Sequence, residues 1–404
     1  MSALVTPGSP RSALAVTRSL GRRGIEVIVA DEDHRSLAGV SRYCRARISV
    51  PSAARSGEAF VSAIRQVVSR GKQTVVIPID DVALSLIAGA RSRFDGLAVL
   101  PFPELETIQN AHDKNVLMTI AAQERVPVPK TIVVNGPADV DAAIRRVGLP
   151  AVVKSRVSRT SIDGQWRTGA AVQYAHTAEE LKVAVRVAQE AAPGPLVQEH
   201  IVGDGRGIFV LMNRGRLRAA FAHRRLREKP PSGGVSVLSE SVELDPQLLE
   251  HAGRILEALK WHGVAMVEFK HDTRDGVSKL LEINGRFWGS LQLAVDSGVD
   301  FPYLLYRLAI DGDIDPVFRY RVGVRLRWWL GDVDWLLLRL REKEGLARRL
   351  RAIPEFLRPL GRRARAEVYR RDDPAPAIRE LSQYSRSCLS GAVARLRRRR
   401  TSHA

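Results

Sequence analysis

Cysteine is nearly absent from this chain, which has only two among its 404 residues. Cys44 and Cys388 lie far apart, and neither belongs to a C-x-x-C or other metal-ligand spacing. A disulfide framework and a cysteine-based zinc site are therefore not expected. This usage favours a reducing compartment, and we expect the protein to be cytoplasmic.

Long apolar runs are also missing, because no stretch of about 18 consecutive apolar residues occurs in the sequence. Residues 1–8 lack the basic region and long apolar core of a secretory signal peptide. Neither a membrane-spanning helix nor such a leader is expected. With 45% hydrophobic and 26% charged residues, the composition is that of a globular chain long enough for two or three domains.

Acidic residues are scarce in one part of the chain. Residues 319–404 hold 23 Lys and Arg against nine Asp and Glu, which accounts for +14 of the net charge of +19. The excess therefore belongs to this C-terminal segment and says little about a catalytic body in residues 1–318. We expect a basic, Trp- and Arg-rich helical extension with a disordered end at Arg395–Arg400.

Two interpretations of the C-terminal segment stay open. Its stretches Trp328–Leu330 and Val333–Leu340 combine aromatic anchors with neighbouring arginines, which is typical of helices on an anionic membrane surface. The segment can equally pack on the catalytic body or on a second subunit of a homodimer. The first interpretation would add a peripheral position at the inner membrane surface. Nucleic acid is not favoured as a partner, because no RNA- or DNA-binding module is visible.

The first 107 residues alternate between short apolar strands and helical stretches, which predicts a parallel sheet of Rossmann-like type. The fingerprint G-x-G-x-x-G is missing after the first strand, Ala3–Thr6, so a tight pyrophosphate site there is not expected. The acidic pair Asp80 and Asp81 follows the strand Thr74–Pro78. It can cap the next helix or bind a substrate amine, and capping is the favoured interpretation.

Two features of the next part allow a plain and a functional interpretation. Lys154 ends the apolar strand Leu149–Lys154, where a lysine is either solvated or in contact with a phosphate. Residues Ser155–Val172 are rich in Ser, Thr, Arg and Gly, which suits a flap over phosphates and also a surface loop. Farther along, Gly203–Gly207 reads as a turn.

The most informative stretch runs from Val264 to Gly289 and reads as a hairpin that turns at Asp275-Gly276. Folding about Asp275 places Glu268 opposite Glu282, where two like charges repel by about 4 kcal/mol at ~4 Å and an effective dielectric near 20. A hard cation such as Mg²⁺ relieves that repulsion.

The residues that follow Glu282 strengthen this interpretation. A period of two puts Asn284 and Arg286 on the same strand face, which adds a neutral oxygen ligand and a cation. A solvated strand face explains a lone Glu-x-Asn better, but the opposed Glu268 and the following Arg286 favour a metal–phosphate site.

With these residues in order, the chain resembles the ATP-grasp superfamily, in particular proteins akin to the carbamoyl-phosphate synthase large subunit and biotin carboxylase. The segment Glu282–Gln292 is the most specific match. The resemblance implies a mixed α/β and α+β fold. Its expected parts are a Rossmann-like pre-ATP-grasp domain (1–107), a small domain (108–195), a catalytic domain (196–318) and the basic extension (319–404).

The resemblance also implies roles for individual residues, with ATP and Mg²⁺ or Mn²⁺ as cofactors. Arg286 is expected to stabilise the transferred phosphate, and Arg225, together with His223 and Arg224, to line the acceptor pocket. The ten expected site residues are Lys114, Lys154, Gln198, Glu199 and Ile201 for the nucleotide, Glu268, Glu282 and Asn284 for the metal, and Arg225 and Arg286 for catalysis.

The activity implied is that of an ATP-dependent ligase, which converts a small-molecule carboxylate to an acylphosphate for attack by an amine or similar nucleophile. Two alternatives stay open: an ATP-binding regulatory protein without turnover, and a membrane-surface scaffold that uses the C-terminal segment. The complete set of Glu268, Glu282, Asn284 and Arg286 favours the enzyme, because nucleotide binding alone does not require all four.

Overall fold

The computed structural model of the chain describes residues 1–71, 74–162, 164–231, 233–342, 345–357 and 364–401. Within these ranges only the backbone is described for 162, 346–348 and 389–401. The strands form sheets of five, four and seven strands and a separate two-stranded hairpin.

Five parallel strands form the N-terminal sheet, in the order β3-β2-β1-β4-β5. Strands β1 and β4 are entirely buried, because an apolar cluster packs on each face of the sheet. The elements are β1 (Ser2–Thr6), α1 (Arg11–Gly21), β2 (Glu26–Asp31), β3 (Ala46–Ser49), α2 (Gly57–Ser69), β4 (Thr74–Pro78), α3 (Asp81–Gly89) and β5 (Ala98–Val99). The predicted strand–helix alternation with a parallel sheet is confirmed.

The first residue of the acidic pair after β4, Asp80, caps the next helix as predicted. The side chain of Asp80 accepts a hydrogen bond from the backbone N–H of Ala83 at 2.8 Å and so caps α3. The edge strand β3 was not predicted, because three of its four residues are exposed and it lacks an apolar face.

The second part contains an antiparallel sheet with the order β10-β7-β11-β6. Its elements are α4 (Leu105–His112), α5 (Lys114–Gln123), β6 (Thr131–Val133), α6 (Val140–Val147), β7 (Ala151–Lys154), β8 (Arg159–Ile162), β9 (Gln165–Thr168), β10 (Gln173–Ala175), α7 (Ala178–Ala191) and β11 (Leu196–Glu199). Strand β11 pairs with β6 and β7, so the predicted domain boundary after residue 195 falls too early. Strands β8 and β9 form a hairpin inside the segment expected to be a flap or a loop.

The third part is built on a seven-stranded sheet with the order β16-β15-β12-β13-β14-β17-β18. Its elements up to residue 327 are β12 (Gly203–Asn213), β13 (Arg216–Lys229), β14 (Val235–Ser241), α8 (Pro246–Ala258), β15 (Gly263–Asp272), β16 (Ser278–Asn284), α9 (Leu291–Ser297), α10 (Phe301–Asp311) and β17 (Arg325–Arg327). The turn predicted at Gly203–Gly207 is wrong, because these residues begin β12 and pair with β15. Backbone pairing with β15 overrides the turn preference of Gly203, Gly205 and Gly207.

The C-terminal segment is part of the body rather than a separate extension. Its elements after β17 are α11 (Trp329–Arg341), α12 (Leu346–Leu357), β18 (Ala364–Ala366) and α13 (Ala375–Thr401). Strand β17 pairs with β14, and β18 pairs with β17, so the boundary predicted at residue 318 does not separate two units. The exposed edge of β14 gains backbone partners in this way. Helix α13 runs through Arg395–Arg400, which were predicted to be disordered.

Buried ion pairs attach this segment to the N-terminal sheet. The Nε of Arg18 donates to Asp373 at 2.8 Å, and both side chains are 1% exposed.

Of the three tryptophans predicted as membrane anchors, Trp335 is buried, and Trp328 lies beneath the guanidinium of Arg11 at 3.7 Å. Trp329 is 49% exposed, and the guanidinium of Arg327 lies 3.8 Å from its ring. Membrane binding is thus not supported by these side chains, and no helix in the described ranges is both long and apolar enough to cross a membrane.

Candidate active site

The hairpin of β15 and β16 brings two glutamates face to face. Glu268 pairs with Glu282, as predicted, but Phe269 pairs with Leu280, so Leu281 is an extra residue in β16. Without this bulge Glu268 would oppose Leu281, whose side chain alternates to the other face. The bulge therefore fixes the register that places both carboxylates together.

Asn284 and Arg286 lie beside the carboxylate pair. The amide Nδ2 of Asn284 donates to Glu268 Oε1 at 3.3 Å and to Glu282 Oε1 at 3.2 Å. Arg286 Nη2 in turn donates to Asn284 Oδ1 at 3.2 Å. From strand β13, Arg225 Nη2 donates to Glu268 Oε2 at 2.8 Å. The predicted metal ligands and both predicted catalytic arginines thus form one connected cluster.

Two lysines face this cluster from the small domain. Lys114, the first residue of α5, has its Nζ 3.8 Å from Glu282 Oε2 and donates to Ser158 Oγ at 3.0 Å. Asp113 caps α5 by accepting from two backbone N–H groups, which separates α5 from α4. Burial, with the nearby charge of Lys114, lowers the pKa of Lys154 to about 8.

The two glutamates have different electrostatic surroundings. Burial, reinforced by the charge of Glu282, raises the pKa of Glu268 despite the contact with Arg225. Burial acts in the same direction on Glu282, but Lys114 and Lys154 outweigh it and lower the pKa of that carboxyl. For Arg225 the attraction of Glu268 outweighs burial, which would lower the pKa, and raises it instead. The site thus holds one firmly ionised glutamate beside one that is easier to protonate.

Strand β11 provides the opposite wall. Gln198 Nε2 donates to Thr131 Oγ1 at 2.8 Å, and Glu199 accepts from Lys279 Nζ at 2.8 Å. Ile201 is 3% exposed and lies two residues beyond the end of the strand. The pairing of Glu199 with Lys279 was not predicted, because the two residues are 80 positions apart in sequence.

All ten predicted site residues line a single cavity of about 890 Å³, here called the central cavity. This volume is in the range of nucleotide and drug-sized ligand sites. The sequence thus predicted which residues meet, although their roles in binding and catalysis stay predictions.

His223, predicted to line the acceptor pocket, lies in the central cavity, and so do Trp288 and Ser290, which were not predicted. His223 has its Nε2 2.7 Å from Ser290 Oγ and stacks on Phe209, and burial lowers its pKa to about 3. The indole N–H of Trp288 is buried with no partner among the described residues. Only the position of Trp288 and Ser290 close to Arg286 in sequence could have indicated these two.

Asp81, which was considered as a helix cap or an amine ligand, lies outside the lining of the central cavity. Its Oδ1 is 3.3 Å from Arg286 Nε.

Comparison with known proteins shows what parts of this chain resemble. A family model described as "ATP-grasp in the biosynthetic pathway with Ter operon" matches residues 192–330. The carbamoyl phosphate synthase large chain of Methanoculleus marisnigri is 24% identical over 257 residues, which cover 61% of this chain. The matched region covers 23% of that relative, so the chain spans about a quarter of its length.

Solved structures share the fold. The L-amino acid ligase from Bacillus licheniformis matches with a TM-score of 0.58 and 19% identity, over 78% of each chain. The biotin carboxylase domain dimer of the Hydrogenobacter thermophilus 2-oxoglutarate carboxylase, solved with MgADP, ADP and bicarbonate, matches with a TM-score of 0.63 and 14% identity. That match covers 80% of this chain and 73% of the other. Residues 192–330 thus resemble an ATP-grasp family, and most of the chain shares the fold of these solved structures.

Proposed function

We propose that the chain is an ATP- and Mg²⁺-dependent ligase that activates a carboxylate for attack by an amine or a similar nucleophile. The observation that carries the proposal is the convergence of opposed carboxylates, lysines and arginines on the central cavity. Like charges placed together at a cavity are typical of sites that bind charged ligands. The amino acid ligase and the biotin carboxylase domain that share the fold are consistent with this class of reaction.

In this proposal the nucleotide lies between the small domain and the seven-stranded sheet. Lys114 and Lys154 bind the phosphates, since both ammonium groups lie on the cavity wall next to Glu282. The base lies against β11, where Gln198, Glu199 and Ile201 line the opposite wall.

The donor set fits Mg²⁺. Glu268, Glu282 and Asn284 offer two carboxylates and one amide oxygen, which are the ligands that Mg²⁺ prefers. Asn284 already holds hydrogen bonds to both carboxylates, so the three side chains meet at one point. When bound, Mg²⁺ neutralises charge on the phosphates of the nucleotide during transfer.

The reaction proceeds in two steps. A carboxylate oxygen of the substrate attacks the γ-phosphorus of ATP, the bond to the bridging oxygen breaks, and an acylphosphate and ADP form. The nitrogen of the nucleophile then attacks the carbonyl carbon, and the C–O bond to phosphate breaks to release inorganic phosphate. Arg286 and Arg225, both in contact with the carboxylate cluster, stabilise the negative charge of the transferred phosphoryl group and of the acceptor.

The test is to measure ADP formation with a panel of carboxylic acids, with Mg²⁺ and with EDTA in its place. Hydroxylamine added as a surrogate nucleophile converts an acylphosphate to a hydroxamate that can be quantified by colour. We expect ADP and hydroxamate in equal amounts, dependent on both the acid and Mg²⁺. ATP binding without ADP formation would support the ATP-binding regulator instead, and ADP formation that does not depend on the acid would contradict a ligase. A homodimer stays a prediction, which sedimentation can test.

A further inference from the structure

A second cavity, of about 600 Å³, lies at the carboxyl ends of β1 and β4. The strand order reverses between these two strands, and open α/β sheets bind ligands at such switch points. We call it the switch-point cavity. Val235, Arg286 and Gly289 line both this cavity and the central cavity, so the two adjoin at the arginine expected to bind the transferred phosphate.

The switch-point cavity is not built for a phosphate. The loop after β1 has backbone amides that could bind an anion, but Asp31 occupies them. Its Oδ2 accepts from the N–H of Gly8 and of Ser9, each at 2.7 Å, and from Ser9 Oγ at 2.8 Å. Pro10, which precedes helix α1, has no N–H to offer. The protein thus supplies its own anion at this position.

Most other charges on the cavity wall are paired. Glu32 accepts a hydrogen bond from Arg55, and Arg11 donates to Glu367 at 2.5 Å and stacks on Trp328. These groups are engaged by the fold, so they do not require a ligand.

Asp80 and Asp81 are the exceptions. Asp80 uses Oδ1 to cap α3, and no described residue bonds its other carboxylate oxygen. The Oδ1 of Asp81 is buried without a hydrogen bond from the described residues, and its nearest cation is Arg286 at 3.3 Å.

Arg159 also lines the cavity but donates to Thr168 Oγ1 at 2.6 Å, and His112 Nε2 lies 3.8 Å from Asp81 Oδ1. The two carboxylates therefore have cations nearby, yet one oxygen of each accepts no hydrogen bond from the described residues. An ammonium group carries three N–H donors and can satisfy both oxygens.

An independent observation comes from the floor of the cavity. Thr6, the last residue of β1, is fully buried and lines the cavity, and its hydroxyl has no hydrogen-bond partner in the described part of the chain. A buried hydroxyl without a partner is unfavourable unless a bound molecule satisfies it. Phe287 and Trp328 supply apolar walls, and Trp328 is held by a hydrogen bond to Glu380 at 2.7 Å.

We propose that the switch-point cavity binds the amine nucleophile, with its ammonium group at Asp80 and Asp81 and a hydrogen bond to Thr6. This inference rests on the proposed function. The ammonium loses one proton before its nitrogen attacks the acyl carbon and one afterwards, and solvent and the departing phosphate accept them. The wall at Arg286 connects the amine to the acylphosphate.

The test measures amine binding without ATP or Mg²⁺, so that it does not depend on turnover. The full chain is titrated by calorimetry with primary amines from ethylamine to lysine amide, and with the alcohols of the same carbon skeletons. Asp80→Asn keeps the helix cap, because asparagine caps as well as aspartate, and removes the charge. Asp81→Asn is the second variant, and Asp95→Asn, at an exposed position outside the cavity, is the matched control.

We expect at least one amine to bind at least tenfold more tightly than its alcohol, and each cavity variant to lose tenfold or more while Asp95→Asn does not. Thr6→Val should weaken the same amine without lowering the melting temperature, since it removes an unsatisfied hydroxyl. Equal affinity for amines and alcohols, or binding of inorganic phosphate in their place, overturns the proposal. Amine binding lost in both variants but without acid-dependent ADP formation would overturn only the proposed function.

Discussion

The two edges of the seven-stranded sheet are both rich in charge but use it in opposite ways. Near the C-terminal edge, Asp332 is 0% exposed and accepts from Arg227 at 2.7 Å and from Arg327 at 2.6 Å. At the other edge, Glu268 and Glu282 face each other across the hairpin beside the central cavity. The first edge pairs opposite charges, and the second places like charges together.

The arrangement of charge separates the structural edge of the sheet from the edge that lines the candidate site. The C-terminal segment carries most of the net charge, yet its buried acids are matched by arginines within the fold, as for Arg18 and Asp373. The hairpin edge instead places two carboxylates together at a cavity, with Arg225 against Glu268 and Lys114 near Glu282, which is typical of sites that bind charged ligands. The arrangement of charge, rather than its amount, distinguishes a binding site from a structural surface.

The largest expected effect is at the paired edge. Asp332→Ala leaves Arg227 and Arg327 buried without a counter-ion, and we expect the free energy of unfolding to fall by about 3–5 kcal/mol. Urea titration measures it. Glu58→Ala, which breaks the surface pair with Arg93, is the control and should cost far less, because solvent screens an exposed pair. Equal losses in both variants would contradict the comparison.

Glu367 follows β18 directly, at the same edge of the sheet as Asp332. Burial raises the pKa of this carboxyl from 4.5 to about 7 although Arg11 contacts it. The folded state then holds a proton that the unfolded state has lost, so stability falls as pH rises from about 4.5 to 7. A shift of this size corresponds to roughly 3 kcal/mol. In urea titrations at several pH values, Glu367→Gln should flatten this decline, and an unchanged slope would refute the assignment.

Much of the fold and site could be predicted because both depend on local patterns. The parallel N-terminal sheet follows from apolar strands separated by helices, and the Asp275-Gly276 turn determines the hairpin, in which Gly276 adopts a φ of 72°. The predicted pairing of Glu268 with Glu282 is correct, but symmetry about the turn alone does not produce it, since the bulge at Leu281 completes it.

What could not be predicted depends on contacts distant in sequence. The pairing of Arg18 with Asp373 joins residues 355 positions apart, and no local pattern in the C-terminal segment indicates it. The same holds for β18, a strand of three residues that exists because β17 offers it an edge. Amphipathic patterning identified the apolar faces of this segment but not what covers them.

At the hairpin edge we expect activity to change far more than stability. Glu282→Gln relieves the repulsion within the carboxylate pair but also removes the counter-charge of Lys114 and Lys154. Because those lysines lower the pKa of Glu282, the second effect is the larger one, and the melting temperature without metal should fall slightly. The same change removes a charged Mg²⁺ ligand, and we expect turnover to fall at least about 100-fold.

The measurements are thermal unfolding without metal and ADP formation with Mg²⁺. Glu257→Gln, an exposed position on α8, is the matched control and should leave both unchanged. A marked loss of stability with near-normal turnover would show that Glu282 is an ordinary structural residue.

The smallest expected effect concerns Lys154. Its ammonium is nearly buried at the end of β7, and burial lowers its pKa to about 8, so the fold holds this cation at a cost. Lys154→Ala should therefore leave stability unchanged or slightly higher. It should weaken a non-hydrolysable ATP analogue by about tenfold, the loss of one charged phosphate contact of about 1.4 kcal/mol. Calorimetric titration against Lys130→Ala, an exposed lysine that precedes β6, separates this contact from general charge. Equal affinities in the two variants would place the phosphates elsewhere, and a destabilised Lys154→Ala would make this lysine structural, like the arginines of the opposite edge.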